Sequence, residues 1–163
     1  MDQEARSRRQ RLALRKATQD ENLFGRLQAA ATASRSQAQR LLSSAGGLSI
    51  TQWRILWDLE EAGPLTVQDM ATIQRTDHSL VSRALSVMRD KGYVETVTNP
   101  EDKRQSLIRM TAAGAHAFAN AAPTMKERRE SLADIFEPNE IATFLSLISR
   151  FETHLNQPSE EPK

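Results

Sequence analysis

The stretch TDHSLVSRALSVMRDKGYVETVTNPEDKRQSLIRMT, residues 76–111, decides the fold of this chain. Its first part predicts a helix with two opposed faces, because apolar and polar residues each recur at the i, i+3, i+4, i+7 spacing. The apolar face comprises Val81, Ala84, Leu85 and Met88, and the polar face comprises Ser79, Ser82, Arg83 and Ser86. The apolar face can pack on a core. The polar face can enter the DNA major groove, where hydroxyl and guanidinium groups contact phosphates and base edges.

A β-hairpin is predicted directly after this helix. Residues 93–98 and 106–110 are rich in β-branched and apolar side chains, and the loop between them contains Asn99, Pro100 and Asp102. The basic pair Lys103 and Arg104 falls at the hairpin tip. A helix with a polar outer face followed by a hairpin with a basic tip predicts a winged helix-turn-helix.

The helices before the two-faced helix are marked by capping signals. The segment Ser49-Ile50-Thr51-Gln52 is a capping box, and Thr66 and Asp69 repeat the pattern before a short helix that ends near Gln74. Two short helices joined by a tight turn form a helix-turn-helix, with the helix after the turn as the recognition helix. Gly92 is expected to end the recognition helix as a left-handed cap.

Apolar seams outside this lobe indicate a dimer. We expect a basic and flexible N-terminal arm over residues 1–19, although DNA contact or extension of the next helix remain alternatives for it. A dimerisation helix follows over 20–47, then the DNA-binding lobe over 48–111, dimerisation helices over 112–157 and a flexible acidic tail over 158–163. The predicted fold is mainly α with a small β-hairpin wing. A two-fold dimer would present two recognition helices to two half-sites of DNA about 34 Å apart.

Composition excludes several classes of protein. The 163 residues contain no cysteine, so disulfides, thiolate zinc sites and thiol redox sensors are excluded. No apolar run is long enough for a membrane span, and no signal peptide is recognisable, so we expect a cytoplasmic protein without a membrane partner. The net charge of +1 hides a basic start, with six basic and two acidic residues in 1–19, and an acidic end. Residues 66–110 carry only seven basic against six acidic side chains, so a basic surface must arise from their geometry.

The lobe resembles the MarR family of bacterial winged-helix transcriptional regulators. Four motifs within residues 48–114 carry the resemblance: LSITQWRILWDL, PLTVQDMA, SLVSRALSVMRDKGYVE and NPEDKRQSLIRMTAAG. The resemblance implies that the polar face of the recognition helix lies in the major groove. It also implies that Arg104 reaches the minor groove while Asp102 braces the wing, and a narrow A·T-rich minor groove attracts such a guanidinium. The candidate DNA contacts are Ser79, Ser82, Arg83, Ser86, Arg75, His78, Lys103, Arg104 and Asp102.

The resemblance further implies a homodimeric regulator, with repression of a pseudo-palindromic operator expected and release by a small aromatic or phenolic effector. Candidate residues for the effector cleft are Phe24, Trp53, Arg54 and His116, with Arg54 or His116 pairing an acidic group. No catalytic motif is recognisable, so we expect neither an enzyme nor a cofactor. Two alternatives remain, a winged-helix module that binds protein instead of DNA and a metal-responsive regulator. The second is disfavoured because no histidine has a ligand-type neighbour at helical spacing.

Overall fold

The computed structural model describes residues 2–100 and 102–157, and of residues 2–6 only the backbone. The order of elements is α1 (Asp2–Glu21), α2 (Leu23–Ser44), α3 (Ile50–Ala62), α4 (Val67–Gln74), α5 (His78–Asp90), β1 (Val94–Thr98), β2 (Ser106–Met110), α6 (Ala112–Glu130), a 3-10 helix (Ser131–Asp134) and α7 (Pro138–Leu155). The predicted fold class, mainly helical with a two-stranded antiparallel hairpin, is confirmed. The predicted acidic tail, residues 158–163, lies outside the described residues.

The N-terminal segment differs from its prediction, since residues 2–21 form the helix α1 where we expected a flexible arm. The segment is rich in alanine, leucine, arginine and glutamine, all strong helix formers, and it lacks the apolar periodicity on which the prediction relied. The predicted helix over 20–47 is divided at Asn22, which caps α2 by accepting from the amide of Gly25. A Cβ at Gly25 would lie 2.6 Å from the carbonyl oxygen of Gln19, so the corner between α1 and α2 requires glycine.

Both predicted capping boxes are confirmed. Ser49 Oγ accepts from the Gln52 amide at 3.2 Å, and Gln52 Oε1 accepts from the Ser49 amide at 3.0 Å. At α4, Thr66 Oγ1 accepts from the Asp69 amide at 3.1 Å, and Asp69 Oδ2 accepts from the Thr66 amide at 2.9 Å. These bonds satisfy amide groups that a helix start otherwise leaves unpaired, so both helices begin where the sequence predicted.

Residues 1–124 form the first of two compact units, and its core lies between α2, α3, α4, α5 and the hairpin. The apolar face of α5 is buried as predicted, with Val81, Leu85 and Met88 at 0% exposure. Other buried side chains of this unit include Leu42, Leu48, Ile55, Leu56, Met70 and Ile108. Each such side chain contributes about 1.5–3 kcal/mol through removal from water, so the core holds α5 by its apolar face and leaves the opposite face outside.

The hairpin is joined to the helices by one additional strand-like segment. β1 and β2 pair antiparallel, with Val94 opposite Met110 and Thr98 opposite Ser106. Leu65, just before α4, exchanges two backbone hydrogen bonds with Ile108 of β2, at 3.1 and 2.8 Å. The base of the hairpin is therefore attached to the start of α4, which limits how the wing can move relative to the helix-turn-helix.

The second unit begins at residue 125, and its described part, residues 125–157, contains the end of α6, the 3-10 helix and α7. Seven of its large apolar side chains are exposed: Leu132, Ile135, Phe136, Phe144, Leu145, Leu147 and Leu155. Within the described residues, no helix combines the length and the apolar character that crossing a membrane requires.

Candidate nucleic-acid interface

The outer face of α5 carries the side chains predicted to read DNA. Ser79, Ser82, Arg83 and Ser86 are all exposed on this helix, opposite the buried apolar face. The Arg83 Nε donates to the carbonyl oxygen of Ser79 at 3.2 Å, so its side chain lies along the helix toward the N-terminal end. The structure thus brings the four predicted residues together on one accessible face that offers hydroxyl groups and a guanidinium.

The start of α5 is defined by Asp77. Its Oδ1 accepts from the Ser79 amide at 2.6 Å and caps the helix, a role that the sequence analysis did not assign. Hydrogen bonds from Ser79 hold the pKa of the Asp77 carboxyl below its ordinary value, because they favour the charged form. The candidate residues Arg75 and His78 flank this cap, and both are exposed.

The wing tip presents two cations. Lys103 and Arg104 are exposed, and Asp102 Oδ1 accepts from the Arg104 amide at 3.0 Å. The Asp102 carbonyl oxygen also accepts from the Gln105 amide at 2.9 Å, so Asp102 holds the turn by its side chain and its backbone. Glu101, the remaining acidic residue of this loop, lies outside the described residues.

A second arginine of the hairpin, Arg109, forms an ion pair within the hairpin. Arg109 on β2 pairs with its cross-strand neighbour Glu95, with Nη2 and Oε1 2.9 Å apart. Both side chains are about half exposed, so this pair contributes only about 0–1 kcal/mol. Across the described residues, which exclude Glu101, no such ion pair engages Lys103 or Arg104.

The four candidate effector residues have different surroundings. Trp53 is 3% exposed and stacks on Phe118, whereas Phe24 and His116 are exposed on α2 and α6. Arg54 donates from Nη2 to the carbonyl oxygen of Gln74 at 3.1 Å. Trp53 and Arg54 thus have structural partners in this chain, and an effector role for the four residues stays a prediction.

An open depression of about 480 Å³ lies elsewhere, between the starts of α4, α5 and β2. It is lined by Thr66, Val67, Gln68, Asp69, His78, Gln105 and Ser106, and by none of the candidate effector residues. Among the described residues, no group of histidine and acidic side chains is arranged to hold a metal ion.

Sequence analysis missed two features of the interface. Leu80 and Val87 are exposed beside Arg83 on α5, and apolar side chains in this position can contact thymine methyl groups. Their i, i+7 spacing, which places both on the side of the helix away from the buried face, could have predicted this exposed apolar pair. The contact of Gln74 with Asp58 and Arg54 on α3 left no signal in the sequence, because it joins residues on separate helices.

Comparison with known proteins was consistent with this geometry. Residues 46–105 match the sequence profile described as MarR family. The chain is 32% identical over 67 residues to the HTH-type transcriptional repressor IacR of Pseudomonas putida, which covers 41% of this chain and 40% of that repressor. The chain thus spans less than half the length of the first curated relatives that it matches.

Solved structures match over more of the chain. A MarR/EmrR family transcriptional regulator from Acinetobacter sp. ADP1 superposes with a TM-score of 0.76 at 25% identity, covering 85% of this chain and 98% of that one. Sco3205, a MarR family transcriptional regulator from Streptomyces coelicolor solved in complex with DNA, superposes with a TM-score of 0.72 at 24% identity, covering 85% of this chain and 88% of that one. The second likeness concerns the fold alone.

Proposed function

We propose that this chain, whose residues 46–105 match the MarR family profile, is a transcriptional regulator of that family, a homodimeric repressor that binds a pseudo-palindromic operator. The observation that carries the proposal is the exposed polar face of α5, with Ser79, Ser82, Arg83 and Ser86, next in the chain to a wing with a basic tip. Sco3205 is a relative in fold that was solved with DNA.

In this proposal the two structural elements read different grooves. The polar face of α5 lies in the major groove, where Arg83 contacts a phosphate or a guanine edge and the serine hydroxyls contact phosphates or bases. Arg104 enters the neighbouring minor groove from the wing tip, held in place by the Asp102 turn. Arg75, His78 and Lys103 add contacts at the margins of these grooves.

A dimer is proposed because apolar surface is left over in the second unit. Ile135 is 68% exposed, and Phe144 and Leu145 on α7 are 55% and 60% exposed. A soluble chain rarely leaves this many large apolar side chains in water unless another surface covers them. On α2, Leu23 and Phe24 are also exposed. A second copy of the chain would cover such surfaces and would hold two recognition helices at the half-site distance of about 34 Å.

We propose that an effector changes the distance between the two recognition helices of the dimer. A small aromatic or phenolic acid bound near Phe24, Trp53, Arg54 and His116 would favour a dimer whose recognition helices no longer match the half-sites. It could shift the equilibrium only by its difference in affinity for the two states.

The proposal is tested by selecting bound fragments from random or genomic DNA with the full chain, followed by titration of the recovered duplex at several salt concentrations. We expect an inverted repeat, and an affinity that falls linearly in log salt as phosphate contacts release counterions. Failure to enrich any duplex, even at low salt, would contradict DNA binding.

One observation favours a second candidate, a winged-helix module that binds protein. Residues 66–110 have seven basic and six acidic side chains, which is little positive charge for a DNA-binding lobe. The same selection separates the two candidates, because a protein-binding module would enrich no sequence and would show no salt-dependent duplex binding.

A further inference from the structure

Helix α3 contacts Gln74, the last residue of α4, at two points. Gln74 Nε2 donates to Asp58 Oδ2 at 2.6 Å, and the Gln74 carbonyl oxygen accepts from Arg54 Nη2 at 3.1 Å. Arg54 and Asp58 are four residues apart on α3 and therefore lie on the same face of that helix. One face of α3 thus holds both the side chain and the backbone of Gln74.

The contact is specific because Gln74 is buried. Gln74 is only 6% exposed. If its hydrogen bond to Asp58 were broken, water could not replace that bond. Asp58 is partly buried as well, and burial raises the pKa of its carboxyl, while the Gln74 hydrogen bond and the Arg54 charge oppose that rise. Gln74 and Asp58 therefore depend on each other for a partner, and the exposed Arg54 adds a hydrogen bond to the Gln74 backbone.

The contact also lies next to a strained backbone position, Arg75. Arg75 adopts the left-handed conformation, with φ 49° and ψ 51°, which a residue with a Cβ adopts at a cost that glycine avoids. Two backbone hydrogen bonds support the turn, from the Arg75 amide to Thr72 and from the Thr76 amide to Ala71. The strained residue sits between Gln74 and Asp77, the cap of α5, so any relaxation of the turn would change the direction in which α5 begins.

We propose that Arg54, Asp58 and Gln74 form a clamp that orients the recognition helix α5 and thereby sets the discrimination between operator and other DNA. The proposal rests on the DNA-binding function proposed above. The apolar contacts that hold α5 are individually non-directional, whereas the clamp uses hydrogen bonds, which are directional. The three residues act as positioning residues through the turn and need not touch DNA.

The length of α5 explains why orientation would affect discrimination. The helix has 13 residues, so at about 1.5 Å per residue a tilt of about 10° at the turn would displace its far end by about 3 Å. Such a displacement breaks hydrogen bonds to base edges, which require short distances. It leaves the general attraction to phosphates largely in place.

The test compares affinities for operator and for an unrelated duplex of equal length at one salt concentration. The variant Gln74→Leu removes the amide and should lower the ratio of the two affinities by about tenfold, the effect of losing one hydrogen bond to a base edge. The variant Asp58→Asn keeps an acceptor oxygen for Gln74 and should stay within about threefold of the original ratio.

A stability-matched control separates orientation from folding. Leu42→Ala opens a cavity in the core on α2, where Leu42 is fully buried, and should lower stability without lowering the ratio. If Gln74→Leu does not fold, Asp58→Ala, which leaves Gln74 in place, should produce the same loss. An unchanged ratio in folded Gln74→Leu, or in Asp58→Ala where Gln74→Leu does not fold, would overturn the proposal, whatever happens to their stability.

The clamp can also be tested without DNA, so its failure is distinguishable from failure of the proposed function. If the unaltered protein binds no duplex, orientation is read instead from amide hydrogen exchange of residues 75–90. Faster exchange at this turn and the start of α5 in Gln74→Leu, but not in Leu42→Ala, would support a positioning clamp. Equal exchange in the two variants would contradict it.

Discussion

The indole ring of Trp53 and the phenyl ring of Phe118 lie nearly parallel, with their centroids 4.9 Å apart and their planes 9° apart. This stack joins α3 to α6 within the first unit. Trp53 is also 6.0 Å from Trp57, at a tilted angle of 50°. The burial of Trp53 and its ring contacts both identify it as part of the core.

We expect Trp53→Ala to lower the free energy of unfolding by about 3–5 kcal/mol, because it removes a large buried side chain and leaves a cavity. Phe118→Leu should cost less, since it retains apolar volume and loses mainly the aromatic contact of about 0.5–1.5 kcal/mol. Urea unfolding followed by circular dichroism measures both. A cost below about 1 kcal/mol for Trp53→Ala would contradict a core role.

The second prediction concerns the two arginines assigned to DNA. Arg83→Ala and Arg104→Ala should each weaken operator binding by about 1–3 kcal/mol and leave the oligomeric state unchanged. Arg109→Ala is the matched control, because it removes the same charge from the same hairpin at a side chain already paired with Glu95. Fluorescence anisotropy with a labelled duplex measures the affinities. Equal losses in all three variants would indicate a general charge effect rather than specific contacts.

The third prediction concerns acid stability. Hydrogen bonds from Thr66 and Ser79 hold the pKa values of Asp69 and Asp77 below their ordinary value of 3.8. A lowered pKa in the folded state means that these caps stabilise the protein above the ordinary value and lose that effect as pH falls through the folded pKa. Asp58 acts in the opposite sense, because its pKa is raised.

Asp77→Asn tests this directly, since asparagine also caps helices but does not titrate. The difference in the free energy of unfolding between this variant and the original protein should be larger at neutral pH than at a pH below the lowered pKa of Asp77, because the carboxyl loses its charge there. Urea unfolding at both pH values gives the comparison. A constant difference between the two proteins across this range would contradict the assignment.

The fourth prediction concerns Gly114 in the first turn of α6. A Cβ at this position would overlap the carbonyl oxygen of Tyr93 and would lie 3.0 Å from Met110 Cγ. Gly114→Ala should therefore destabilise the protein by more than about 1 kcal/mol, although alanine favours helices. The neighbouring exposed Ala113→Gly provides the scale of helix propensity alone, at a cost of about 1 kcal/mol. If Gly114→Ala stabilised the protein, the helix propensity of alanine would outweigh the steric overlap with the Tyr93 carbonyl oxygen.

The fifth prediction tests the proposed dimer. Phe144→Glu places a charge on the exposed apolar surface of α7 and should shift sedimentation equilibrium from dimer toward monomer. Ser146→Glu adds the same charge at an exposed polar position of this helix and should leave the dimer intact. A dimer that tolerates Phe144→Glu as well as Ser146→Glu would place the interface elsewhere.

Local features of the fold were predictable because their causes lie within a few residues. The capping boxes of Ser49 with Gln52 and Thr66 with Asp69 each involve residues three apart. The two faces of α5 follow from helical periodicity, and the hairpin follows from β-branched runs around a turn-forming loop. Prediction was less successful at α1, where a helix forms without the apolar stripe on which the reading depended.

The sequence by itself therefore determined the helix starts, the polar face of α5 and the basic wing tip, because short-range hydrogen bonds and periodicity specify them. Only the tertiary structure decided that Gln74 would meet Asp58, 16 residues away, that Trp53 would stack on Phe118, and that Leu65 would pair with Ile108. These contacts depend on how separate elements pack, and a side chain's own neighbours in the chain carry no information about that packing. The surface that would read DNA is thus encoded locally, while its orientation depends on the fold as a whole.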